Sequence, residues 1–170
     1  MNTPLSVANF FVAKSLDTGE ELTLLKLIKL VYISHGWHLA VKDEDLLSEA
    51  VEAWKYGPVV PAVYHKFKSF ANSQITSFAD EEQGSKRYFP KIENEETIAL
   101  LETVWEKYKE YNGLQLSTLT HLKNSPWDKV FNAPQNFGKK GLIIPNNLIK
   151  EHYRQKLIAN RKSVHEQSAG

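Results

Sequence analysis

The sequence has no cysteine among its 170 residues, and this absence excludes whole classes of chemistry. Disulfides, zinc–thiolate sites and thiol catalysis all require cysteine. A chain without cysteine fits a reducing compartment, and we expect a cytoplasmic protein. The chain also lacks an excess of charge of either sign. A formal net charge of +1 gives the chain as a whole no electrostatic pull toward nucleic acid or membrane.

Long uncharged apolar runs are missing as well. The longest apolar stretch, residues 22–41, contains Lys26, Lys29 and two histidines, so we expect no membrane span. The first residues, MNTPLSVANFF, lack a basic segment followed by an apolar one, and we expect no secretion signal. A composition of 42% hydrophobic and 24% charged residues is typical of a soluble globular protein, and the length predicts one domain.

Motifs for catalysis and metal binding are absent too. The sequence has no GxSxG nucleophile turn, and its nearest approach to a phosphate-binding loop, NFGKKG at 136–141, predicts an ordinary loop. His35 and His38 lie three residues apart, but a metal site needs three or four convergent ligands. We therefore expect no metal, no cofactor and no enzyme. The alternative among enzymes is a small hydrolase or metalloenzyme that uses His35, His38 and His121.

What the sequence does contain is helical periodicity, which predicts a mainly α fold. We expect a single globular helical domain with a buried central helix and a small element of two or three strands. The predicted helices cover residues 4–18, 23–41, 59–70, 95–111, 116–124, 126–131 and 145–159. In the central helix, 23–41, apolar residues lie on every side. Lys26 and Lys29 are expected to run their stems along the apolar surface and keep their charged heads in water.

The remaining segments predict the small β element and the domain boundary. Residues 46–56 fit either a helix or a strand, and the stop at Gly57-Pro58 favours a short extended segment. Two short strands are expected at 74–80 and 87–92, joined by a polar loop at 81–86. The domain is expected over residues 1–160, with a flexible C-terminal tail at 161–170.

The stretch EAWKYGPVVPAVYHKF, residues 52–67, crowds aromatic side chains around a Gly-Pro corner. Tyrosine and tryptophan are favoured at protein interfaces. We expect Trp37, Trp54 and Trp105 to pack in the core. The candidate partner-binding residues, on an edge expected to be exposed, are Tyr56, Val59, Val60 and Tyr64.

Three segments follow one another along the chain: KLIKLVYISHGWHLA, LLSEAVEAWKYGPVVPAVYHKFKSF and LSTLTHLKNSPWDKV. In this order they resemble the Panacea antitoxin domain family, which includes SocA-like antitoxins and phage-associated GepA-like proteins, and the resemblance covers about residues 8–130. The matching positions are expected to define the fold: Lys29, His35, Gly36, Trp37, Trp54, Tyr56, Gly57, Pro58, Val59, Tyr64, Thr120, His121, Pro126 and Trp127.

The resemblance implies a non-enzymatic antitoxin that neutralises a cognate protein toxin by direct binding. The toxin would be encoded by the adjacent gene. Delivery of the toxin to a cellular protease is an alternative that the same family implies.

A nucleic-acid-binding regulator is the alternative from a different class. It would use a basic C-terminal helix with Lys150, Arg154, Lys156, Arg161 and Lys162, preceded by Lys139 and Lys140. The nearly neutral charge balance and the lack of a helix-turn-helix signature disfavour it.

Overall fold

A computed structural model describes residues 1–168 of the chain. These residues form seven α-helices and five short strands, which confirms the predicted mainly α class with a small β element. In chain order the elements are α1 (Pro4–Thr18), α2 (Leu24–Lys42), β1 (Val51–Trp54), β2 (Gly57–Val59), α3 (Pro61–Phe67), β3 (Glu81–Gln83), β4 (Lys86–Tyr88), α4 (Glu95–Tyr108), α5 (Gly113–Thr120), α6 (Pro126–Phe131), β5 (Leu142–Ile144) and α7 (Asn146–Ser168).

Helix α2 is the buried centre of the fold, as its all-round apolar pattern predicts. The Thr23 side chain accepts a hydrogen bond from the Lys26 backbone N–H and begins the helix. The helix ends at Asp43, which takes a left-handed φ of 60°. It contacts α1, α3, α4, α5, α7 and β2. Across residues 1–168, no helix combines the length and the apolar character that a membrane span requires.

The larger sheet has three antiparallel strands in the order β2-β1-β5. Ala53 of β1 pairs with Pro58 of β2 on one side and with Leu142 of β5 on the other. Because β5 runs antiparallel to β1, the loop that precedes Leu142 is brought beside the turn that follows Trp54. This pairing places the loop 132–141 next to the tip of the β1–β2 hairpin.

The second hairpin is placed wrongly by the sequence prediction. The strands are β3 and β4, so the segment predicted as a connecting loop, 81–86, supplies most of the hairpin. Its turn is made by Gly84, with φ +64°, and Ser85. The predicted strand at 74–80 is instead an irregular segment. Its backbone amides find partners outside a sheet, because Ile75 N donates to Leu22 O and Ala79 N donates to the Asn9 side chain.

Several helix boundaries also differ from the prediction: α3 covers Pro61–Phe67 rather than 59–70, α4 ends at Tyr108 rather than at 111, and α5 ends at Thr120 rather than at 124. Helix α5 begins at Gly113 rather than near Ser117, because Asn112 and Gln115 form a reciprocal capping box at its start. Helix α7 continues to Ser168, beyond the predicted end at residue 159. The flexibility of the segment 161–170 stays a prediction, and its last two residues, 169–170, lie outside the described residues.

Candidate partner-binding site

The β1–β2 hairpin, residues 51–59, is the local structure around which the sequence motifs meet. Its two-residue turn, Lys55-Tyr56, is closed by Gly57, whose φ of +107° is rarely open to residues with a side chain. A Cβ atom at Gly57 would lie 2.5 Å from Lys29 Nζ and 2.9 Å from His121 Cε1. Both the backbone angle and the close approach of these two side chains therefore require glycine.

Lys29 holds this hairpin from the central helix. Its side chain is fully buried, and its Nζ donates to Tyr56 O at 2.7 Å and to Pro58 O at 3.1 Å. Burial lowers the pKa of Lys29 to about 7. A neutral amine still has two N–H groups, which is enough to serve both carbonyls. The predicted position of its head in water is wrong, because β2 packs over this side of α2 and covers it.

Lys26, one turn earlier on α2, departs from the same prediction. Its Nζ donates to Lys109 O, at the C-terminal end of α4, and lies 5.7 Å from the ring centroid of Trp105. Burial lowers its pKa as well, against the opposing charges of Glu20 and Glu21. Both lysines thus serve as donors to backbone carbonyls inside the fold. Periodicity in one helix could not reveal this, since the acceptors belong to other elements.

Helices α5 and α6 hold the hairpin from the other side. Trp127 Nε1 donates to Trp54 O at 2.7 Å, and Ser117 Oγ donates to Tyr56 O at 3.2 Å. His121 Nδ1 donates to Ser117 O at 2.6 Å, and its ring packs edge-on against Trp127 with centroids 4.3 Å apart. Ser117 was not among the predicted site residues. Its position four residues before His121, on one face of a helix, is the sequence signal that links them.

These contacts leave Tyr56 as the exposed tip of the hairpin. Its side chain is 66% exposed, and Lys55 Nζ lies 5.3 Å from the centroid of its ring. Tyr64 is half-buried and packs edge-on against Trp54 with ring centroids 5.0 Å apart.

The prediction that Val59 and Val60 lie on an exposed edge is wrong. Val59 is 5% exposed and Val60 is 1% exposed, because this end of β2 belongs to the hydrophobic core beside α2. Partner contact by Tyr56 and Tyr64 stays a prediction. Of the three tryptophans expected inside, Trp105 is fully buried, whereas Trp37 and Trp54 are half-buried at the edge of the core.

A second group of motif residues lies where α2 meets α7. A Cβ atom at Gly36 would lie 2.2 Å from Tyr153 Cε2, so glycine permits this close helix contact. The Trp37 ring packs edge-on against Tyr153 with centroids 5.1 Å apart. His35 Nε2 donates to Asn146 Oδ1 at 3.1 Å, and burial lowers the pKa of His35. These residues join two helices.

The remaining histidine and helix-end residues have local roles. His38 Nδ1 donates to Glu44 O at 2.8 Å, beyond the end of α2. Among residues 1–168, no three His, Cys, Asp or Glu side chains come together as a metal site would require. Thr120 donates to carbonyls within its own helix, and Pro126 opens α6 behind the cap residue Ser125.

Comparison with known proteins identifies the family to which this chain belongs. Residues 27–128 match the family model "Antitoxin SocA-like, Panacea domain". The chain belongs to this Panacea family. Antitoxin SocA from Caulobacter vibrioides (strain NA1000 / CB15N) is 30% identical over 152 residues, which is 88% of this chain and 81% of that protein. No solved structure matches the chain significantly.

The Panacea match includes every residue that anchors the hairpin, from Lys29 to Trp127, but ends before the loop 132–141. That loop and the end of β1 enclose a groove of about 780 Å³. Phe137, on the loop, is 94% exposed. Sequence reasoning missed Phe137 as a surface residue. The position of this aromatic residue between Asn136 and Gly138, in the polar segment NFGKKG, is the signal that could have indicated it.

Proposed function

We propose that this protein is the antitoxin of a toxin–antitoxin system and neutralises its cognate toxin by direct binding in the cytoplasm. Membership of the Panacea family supports the antitoxin role. The observation that best supports direct binding is the exposed Tyr56, which lies on a hairpin whose backbone is held by side chains of three helices. No catalytic step is part of this function.

A rigid exposed tyrosine is well suited to protein recognition. Tyr56 contributes a large amphipathic surface, and tyrosine is enriched among the residues that dominate binding energy. The carbonyls on both sides of the tip are bound by Lys29, Ser117 and Trp127, so little backbone freedom remains to be lost on association. Tyr64, half-buried on Trp54 at the same end of the hairpin, extends this surface.

The nucleic-acid alternative has less support from the same contacts. Lys150 and Arg154 of α7 both lie against Asp43, at 2.8 Å and 3.2 Å. Lys156 is half-buried with its Nζ 5.1 Å from the ring centroid of Tyr153. Three of the five predicted phosphate contacts on this helix are therefore already engaged within the protein. Arg161 and Lys162 remain exposed.

The experiment is growth rescue combined with co-purification. The protein encoded by the adjacent gene is induced with and without this chain, and growth and complex formation are measured. We expect rescue and a stable complex with the wild-type chain. Tyr56→Ala should weaken the complex about tenfold or more, as loss of a dominant interface residue does. Tyr88→Ala is the matched control, because Tyr88 is also an exposed tyrosine on a hairpin.

Three results would count against parts of this function. If the protein encoded by the adjacent gene does not slow growth, or if rescue occurs without a complex, neutralisation by direct binding is contradicted. Equal complexes with Tyr56→Ala and Tyr88→Ala contradict the role of the tip. The toxin level during rescue separates the two fates of the toxin: a constant level indicates an inert complex, and a level that falls only when a protease is present indicates delivery for degradation.

A further inference from the structure

The groove beside the hairpin tip is formed by two different parts of the chain. One wall is the end of β1, with Trp54 and Lys55, and the other is the loop 132–141, with Phe137 projecting at its edge. Asn136 ties the loop to α6, because its Nδ2 donates to Val130 O at 2.9 Å. At about 780 Å³, the groove falls in the size range of about 300–1,000 Å³ that is typical of protein ligand sites.

The groove combines an apolar lining with an excess of positive charge. Three lysines line it, Lys55, Lys139 and Lys140, against one carboxylate, Glu52. Glu52 is already engaged, since its Oε2 accepts a hydrogen bond from Trp54 Nε1 at 2.7 Å. The ion pairs formed within residues 1–168 include none of these three lysines. The rim therefore presents cations on a chain whose net charge is only +1.

We propose that the groove binds an extended segment of the toxin that carries acidic residues next to an aromatic or aliphatic side chain. The apolar side chain would enter between Trp54 and Phe137, and the carboxylates would face the lysines of the rim. Complementary charge at a rim gives specificity and speeds association, while the apolar contact supplies affinity. This inference rests on the proposed function and names the part of the toxin that is recognised.

The position of the groove agrees with this occupant. Lys55 belongs both to the groove and to the exposed tip, where its Nζ lies 5.3 Å from the Tyr56 ring centroid. A toxin bound at the tip therefore has the groove directly beside it. A single-stranded nucleic acid also combines negative charge with rings that stack on aromatics, so it is the competing occupant that the experiment must separate.

The experiment selects ligands for the folded full-length chain from a displayed library of random linear peptides. We expect the enriched peptides to carry Asp or Glu beside an aromatic or aliphatic residue. Their affinity should fall about tenfold or more in the double variant Lys139→Glu/Lys140→Glu, where like charges would meet. It should also fall as NaCl concentration rises. Arg161→Glu/Lys162→Glu is the matched control, because it reverses two adjacent exposed cations far along α7 and should leave the affinity unchanged.

Several outcomes would overturn the inference. These are the enrichment of no peptide, the enrichment of peptides without acidic residues, equal losses in both double variants, and binding of a single-stranded oligonucleotide in place of the peptides. Phe137→Ser gives a second test that keeps every charge, and it should weaken the same peptides.

Displacement of the toxin separates this inference from the proposed function. Enriched peptides should compete with the toxin for the chain. If they bind the groove but leave the toxin bound, the groove inference fails and direct neutralisation stands. If the toxin never forms a complex with the wild-type chain, the proposed function fails whatever the peptides do.

Discussion

The two hairpins of this protein have similar length but are stabilised in different ways. The first, residues 51–59, has its carbonyls bound by Lys29 from α2, Ser117 from α5 and Trp127 from α6. The second, residues 81–88, is exposed along almost its whole length, and the Tyr88 hydroxyl donates to Glu81 within it.

The difference shows where structural constraint comes from. The first hairpin depends on side chains more than 25 residues away in sequence, as the separation between Lys29 and Tyr56 shows. The second depends on its own turn, on cross-strand contacts and on the ion pair between Arg87 and Asp80, the residue just before the hairpin. The Panacea match runs through both, yet Trp54, Tyr56, Gly57, Pro58 and Val59 of the first hairpin are motif residues, whereas the motif includes no residue of the second. We infer that an element held by the core can present a fixed surface.

The largest effect is expected for alanine at the glycine of each turn. Gly57→Ala should lower the free energy of unfolding by about 2–5 kcal/mol, because it combines left-handed strain with overpacking against Lys29 and His121. Gly84→Ala should cost about 1–2 kcal/mol, from strain alone, since nothing lies within 4 Å of the added Cβ. Urea unfolding of both variants measures the difference. Equal losses would mean that the first hairpin is no more constrained than the second.

The next effect concerns pH and Lys29. Its folded pKa of about 7 lies below the ordinary value of 10.5, so between these pH values the unfolded chain binds a proton that the folded chain has released. The Lys29 contribution to stability therefore rises with pH over this window and is constant below it. Relative to Lys29→Met, the unfolding free energy of the wild type should rise by up to about 1.4 kcal/mol per pH unit.

Urea unfolding between pH 7 and 9.5 measures this slope. Lys86→Met, on the exposed second hairpin, is the control and should keep the wild-type slope. Parallel pH profiles of the wild type and Lys29→Met would show that the buried amine stays charged.

A smaller effect is expected when one anchoring hydrogen bond is removed from each hairpin. Trp127→Phe removes the donor to Trp54 O and should cost about 1–2 kcal/mol, because a part-buried carbonyl is left without its partner. Tyr88→Phe removes the donor to Glu81 at the surface and should change stability by no more than about 0.5 kcal/mol. Thermal or urea unfolding measures both variants. A larger loss of unfolding free energy in Tyr88→Phe than in Trp127→Phe would contradict this order.

The smallest effect on stability is expected at the exposed tyrosines themselves. Tyr56→Ala and Tyr88→Ala should each change the free energy of unfolding by no more than about 0.5 kcal/mol. The two variants should then differ in toxin binding alone. A large loss of stability in Tyr56→Ala would assign this residue to the fold instead of the interface.

Much of the helical framework could be predicted from the sequence. Helices α1, α2 and α4 are capped by the side chains of Thr3, Thr23 and Asn94, each of which lies just before the first helical residue. The apolar residues of α1 and α4 follow helical spacing, and α2 is apolar on every side. The second hairpin was misplaced because its strands are short and polar, while the apolar pattern of 74–80 reflects packing outside a sheet. The dipeptide Gly84-Ser85 was the better signal, since glycine at the first position suits a two-residue hairpin turn.

The candidate site was predictable only in part. The aromatic Gly-Pro corner indicated the right segment and Tyr56, but it placed Val59 and Val60 on the surface. Alternation along a three-residue strand is too short to assign faces, and β2 is covered by α2. The groove could not be predicted, because it depends on β5 pairing with β1 across about 90 residues of chain.

By itself, the sequence determined the class of fold, the central helix, the excluded chemistries and the family motifs, because these follow from composition, local periodicity and residue order. The tertiary structure alone decided what Lys29 does. From the sequence, a lysine in an apolar helix is predicted to lie at the surface. In the folded chain Lys29 is buried and donates to the carbonyls of Tyr56 and Pro58. A buried polar group is stable only with its partners, and those partners come from parts of the chain that only folding brings together.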